Sequence, residues 1–88
     1  MLHILTNMSE ETRIYYDDEL DYLTIFVGEP VPNYGEDIEE GVTVFKDQKT
    51  DKIIGIGIQE FRERTKSLKE LELKLPFKVN FSVAKSVV

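Results

Sequence analysis

From residue 12 onward the chain alternates. Thr12, Ile14 and Tyr16 fall on one side and Arg13, Tyr15 and Asp17 on the other. That is the period of a strand with one buried face. Asp17-Asp18-Glu19-Leu20 follows, a run of short acceptors suited to the amides of a turn. A second strand is predicted over 21–27, with Leu23, Ile25 and Val27 opposite Tyr22, Thr24 and Phe26. So tight a connection makes the two an antiparallel hairpin. Residues 28–40 break the pattern, with two prolines, two glycines, five acids and no apolar period. They predict a long loop that starts extended at Pro30 and Pro32. A third strand is predicted over 41–47 and a fourth over 53–59, joined by a turn at 48–52. In the fourth, Ile54, Ile56 and Ile58 line one face while Gly55 and Gly57 share the other. Paired glycines inside a strand call for a steric reason, and the expectation is a bulky side chain from Phe26 or Phe45 over the strip.

Residues 60–70 change period. Phe61, Leu68 and Leu71 form one stripe, and Arg62, Lys66 and Lys69 another. Helix formers without proline predict about three helical turns. The tail then alternates from Leu71 through Leu73, Leu75, Phe77, Val79 and Phe81 to Val83. This predicts an amphipathic strand, split or placed at an edge by Pro76, with a helix through Leu71 and Leu75 as the competing reading. The expected fold is α+β: an antiparallel four-stranded β-meander with one helix and a C-terminal strand. The expected segments are an N-terminal extension over 1–11, the meander and helix over 12–70, and the tail over 71–88. Met8-Ser9-Glu10-Glu11 reads like a start, which would make 1–7 either leader or a short extra strand through Leu2, Ile4 and Leu5.

Composition narrows function more than fold. A chain of 88 residues supports one small core and seldom encloses a reaction cleft. The absence of cysteine excludes disulfides and thiolate metal sites within the chain. No apolar run is long enough for a membrane helix. With no signal-peptide pattern, a cytoplasmic location is expected. Net charge is −6, divided unevenly. Residues 1–40 carry eleven acids against Arg13 alone, while 41–88 carry ten bases and six acids. An acidic front half repels phosphate and attracts basic partners.

Candidate chemistry is sparse. Asp17, Glu19 and Asp21 have the spacing of a calcium loop, but Tyr22 stands where that loop needs glycine and Gly28 where it needs a bidentate acid. His3 stands alone, and no serine has a placed base. Gly55-Ile56-Gly57 lacks the third glycine and lysine of a phosphate loop. No catalytic residue, cofactor or metal is expected. The first expectation is a protein-binding module. Asp17, Asp18, Asp21, Glu36 and Asp37 would steer a basic partner, and Phe77, Val79, Phe81 and Val83 would bury against it or against a second copy. Two alternatives stand beside it: a metal-assisted hydrolase on Asp17, Asp18 and Asp21, and nucleic-acid binding through Arg62, Lys66 and Lys69.

Tyr16-Asp17-Asp18-Glu19-Leu20-Asp21-Tyr22-Leu23-Thr24-Ile25, then Gly41-Val42-Thr43-Val44, the turn from Asp47 to Asp51 and Ile53-Ile54-Gly55-Ile56 carry a resemblance. This stretch resembles a family of small uncharacterised prokaryotic proteins, domain of unknown function 2283. Leu20 departs from the small residue usual there, and Gly57 from a common acid. The resemblance implies a small β-meander with a helix and names no catalytic residue. Its members are often encoded beside small toxin-like proteins, which implies an antitoxin-like or other inhibitory role.

Overall fold

Alternating β-branched and aromatic residues form strands because each strand can bury one face and leave the other wet. In the computed structural model, which describes residues 2–7, 12–64 and 68–87, six segments form strands. They are β1 (Leu2–Asn7), β2 (Thr12–Asp17), β3 (Tyr22–Val27), β4 (Asn33–Glu39), β5 (Val42–Asp47) and β6 (Ile53–Ile58). All pairings are antiparallel, in the order β1-β2-β3-β6-β5-β4. Met8-Ser9-Glu10-Glu11 lies outside the described residues.

The α+β class and the β2–β3 hairpin match expectation; the four-stranded meander does not. Two further strands, β1 and β4, form the edges of the sheet, and β3 pairs with β6 instead of with the next strand in sequence. The sheet is two three-stranded meanders, β1-β2-β3 and β4-β5-β6, laid side by side. The segment 28–32 spans three strand spacings from β3 to the far edge, a gap of roughly 14 Å that six extended steps reach easily. The expected loop over 28–40 is therefore a short crossing followed by a strand. β4 escaped detection because it is an edge strand without a buried row to give it an apolar period.

Register puts Tyr16, Leu23, Ile58 and Val42 in one cross-strand row and Ile14, Ile25, Ile56 and Val44 in the next. Over this face lie a single 3₁₀ turn (Phe61–Glu63) and two short helices, α1 (Leu68–Lys74) and α2 (Phe81–Val87). Phe61, Leu68, Leu71, Phe81 and Ala84 complete the core, and Phe61 meets Tyr16 and Phe81 edge to face, with centroids 6.5 and 6.2 Å away.

The tail is the largest departure from expectation. Residues 71–83 do not form a strand. Leu71 lies inside α1, residues 75–80 bend away, and Phe81 and Val83 lie in α2. A two-residue alternation also places apolar residues four apart, so it serves a helix as well as a strand. Pro76 ends the first helix, and burial decides the rest. As helices, Leu68, Leu71, Phe81 and Ala84 roof an apolar sheet face that a lone edge strand would leave wet. The Glu72 carboxylate accepts the Phe81 N–H at 2.7 Å and so caps α2 from α1. The helix expected over 60–70 is likewise interrupted: Arg64 is extended (φ −81, ψ 116), and α1 runs past Glu70 to Lys74.

On the opposite face one row reads Arg13, Phe26, Gly55, Phe45, Gly35 across five strands. As expected, aromatic rings cover the glycine strip. A Cβ on Gly55 would stand 2.7 Å from the Phe26 ring, and the Phe26 and Phe45 centroids are 5.0 Å apart. Tyr22, which the sequence did not single out, covers Gly57 with its hydroxyl.

Candidate binding surface

The predicted surface residues fall into three places. Asp17, Asp18 and Asp21 lie at the β2–β3 turn. The Asp17 carboxylate accepts the N–H groups of Glu19 and Leu20 at 3.1 and 3.2 Å, which is turn formation. Asp18 is exposed. Asp21 faces inward: its carboxylate accepts the Tyr16 hydroxyl at 2.7 Å and the Arg62 N–H at 3.2 Å, and its carbonyl accepts the Phe61 N–H at 3.0 Å. It adopts a left-handed backbone (φ 51) to do so. Asp21 thus fastens the hairpin to the 3₁₀ turn and is not a free steering charge. Burial, followed by the Asp21 hydrogen bond and charge, pushes the Tyr16 phenol up to about 12, with Arg62 acting against them. Among the described residues no three His, Asp or Glu side chains gather as a metal site, so Asp17, Asp18 and Asp21 do not converge as hydrolase ligands.

Phe81 and Val79 belong to the chain's own core. Phe81 is 1% exposed, Val79 packs against the core and Phe77 is half-buried. Val83 lies within α2, so among the described residues no C-terminal strand stands ready to add to a partner. Of the basic triple, Arg62 and Lys69 do not share one helix. Arg62 sits on the 3₁₀ turn over the Tyr16 ring (5.2 Å), Lys69 is exposed on α1, and Lys66 lies outside the described residues.

Glu36 and Asp37 lie on β4, which is exposed at every position after Asn33. Cross-strand contacts with β5 hold it in place. Lys46 donates to Glu36 at 2.8 Å, and Thr43 donates to Asp37 at 2.7 Å. Tyr34 donates to Asp51 at 2.7 Å, a bond that raises its phenol pKa. The bond to Glu36 likewise raises Lys46. The chain enters β5 through Gly41 (φ 79), whose carbonyl accepts the Gln59 N–H at 2.8 Å. The Arg64 guanidinium ties the same corner, donating to the carbonyls of Glu40 at 2.6 Å and Gln59 at 3.0 Å.

The result is an outer strand whose far edge pairs with no other strand among the described residues. It carries Glu36, Asp37 and Glu39, and the chain continues into Glu40. Tyr34 (37% exposed) and Ile38 (44% exposed) stand among these acids. A register shift between Asp37 and Glu39 brings Ile38 out of step with β5. Sequence reasoning found the acids but missed Tyr34 and Ile38. The available signal was two large apolar residues four apart in an otherwise polar segment.

The molecule is a small α+β protein: a six-stranded antiparallel sheet with one face roofed by two short helices and an acidic strand at one edge. Comparison with protein families, with curated proteins and with solved structures finds no match for this chain. Among the described residues no helix is long and apolar enough to cross a membrane.

Proposed function

We propose that this chain is a non-enzymatic protein-binding module that receives a basic partner on its β4 edge. One observation carries the reading: β4 is exposed at every position after Asn33, has no strand on its outer side among the described residues, and combines three acids with Tyr34 and Ile38. Charge of one sign speeds encounter with an opposite surface, and the two exposed apolar residues supply contact area once it is made. The resemblance to domain of unknown function 2283 supports an inhibitory, antitoxin-like role, with the bound protein held inactive; a cytoplasmic location is proposed alongside it.

The test uses Glu39→Lys together with Glu40→Lys, two positions at the end of the acidic edge. Natural and doubly reversed chains are used as bait in native lysate at low and moderate salt. The expected result is a basic protein retained by the natural chain, released by salt and lost from the variant. Equal retention by both chains, or an acidic binder insensitive to salt, overturns the proposal.

A further inference from the structure

We infer that the basic partner joins the sheet as a seventh strand beside β4, with a large flat side chain lying over Gly35. This rests on the proposed binding of a basic partner and adds how that partner is held. An edge strand turns every second N–H and C=O away from its neighbour, and among the described strands β4 pairs with β5 alone, so its outer side presents a row of main-chain groups for pairing. Such a row binds any extended segment, and side chains decide which one. A second copy of β4 would bring Glu36, Asp37 and Glu39 against their own kind, which like-charge pairing disfavours. A lysine- or arginine-bearing strand meets opposite charge in the same places.

The open face of the sheet adds a more specific requirement. Its cross-strand row runs Phe26, Gly55, Phe45, Gly35 and ends at the edge. Aromatic rings close over Gly55 from both sides within the chain. Gly35 is covered from the β5 side only: the Thr43 methyl stands 3.1 Å and the Phe45 ring 3.4 Å from where a Cβ would sit, and Gly35 itself is exposed. The residue that a new strand places opposite Gly35 continues the alternation of large and absent side chains. A phenylalanine, tyrosine or arginine there covers the glycine and meets the edge of Phe45. On the other face the partner's alternate residues come beside Tyr34 and Glu36, where a cation fits.

The experiment uses the full chain and a capped peptide of seven residues, the length of β4. The peptide alternates lysine with valine and carries phenylalanine at its centre. A second peptide has the same side chains with every backbone nitrogen methylated, and a third replaces phenylalanine with alanine. Binding and amide exchange of the protein are read by nuclear magnetic resonance at low salt. The expected result is slowed exchange at alternate amides within 33–39. Affinity should fall about tenfold or more on methylation, the scale of losing even two net hydrogen bonds. Equal binding of the first two peptides with no new protection overturns strand addition and leaves the charged-surface reading standing. Equal binding of the phenylalanine and alanine peptides overturns the placement over Gly35. Failure of all three to bind overturns the strand and the basic-partner reading together.

Discussion

At the scale of single residues, Tyr16 and Asp21 do most to join the hairpin to its roof. The phenol is fully buried and donates to a carboxylate that also accepts a backbone amide 41 residues away. An unfolded tyrosine ionises near 10, and Tyr16 in the fold near 12, so the unfolded chain gives up its proton first. Stability from this group is intact below pH 10 and is lost as pH rises from 10 toward 12. Denaturant melts across that range are expected to show a steep alkaline decline in the natural chain. In Tyr16→Phe the decline should be shallower, the remainder coming from Tyr22 and Tyr34, whose phenols are also raised. Asp21→Ala removes the acceptor for both donors and is expected to cost about 1–3 kcal/mol by urea unfolding. Asp21→Asn should recover part of that loss, and wild-type stability in Asp21→Ala would refute the fastening role. None of this was legible in the sequence. Asp21 reads there as one acid among several in a turn, because a left-handed φ and a partner at Arg62 leave no local mark.

At the scale of elements, the interior strands were legible and the two ends of the architecture were not. β2, β3, β5 and β6 each keep a buried row, so a two-residue period names them within a residue of their bounds. β4 has no such row, and the tail has a pattern that two geometries share. The tail also sets the clearest mutational contrast. Phe81→Ala empties a site at the centre of the core and is expected to destabilise by about 3–5 kcal/mol, a large share of the total for a small domain. Leu73, 87% exposed on α1, can become glutamate at a cost within about 0.5 kcal/mol. Thermal melts of the two variants check the pair. Near-equal effects would mean that the tail does not roof the sheet.

For the molecule as a whole, acidity does two jobs at once. A net charge of −6 disfavours aggregation, and the three acids on β4 disfavour pairing of that strand with its own kind. Glu36→Val combined with Glu39→Val would leave Tyr34 and Ile38 in an apolar edge. The expected outcome is larger particles by light scattering than the natural chain gives at equal concentration. Unchanged size would show that the bulge between Asp37 and Glu39, and not charge, guards the edge. The charge division itself was legible in the sequence. Where it would gather was not, because that depends on a chain crossing that carries residues 33–39 to the far side of the sheet.

That crossing has a kinetic corollary. Four of the five strand ladders zip between neighbours in sequence, and the seam from Leu23–Ile58 to Phe26–Gly55 alone closes a long loop. Local ladders form before distant ones, so the two ribbons are expected to zip first and then dock in one step. Substitutions along that seam, such as Ile25→Val or Ile56→Val, should slow refolding, whereas Val44→Ala in the outer ribbon should chiefly hasten unfolding.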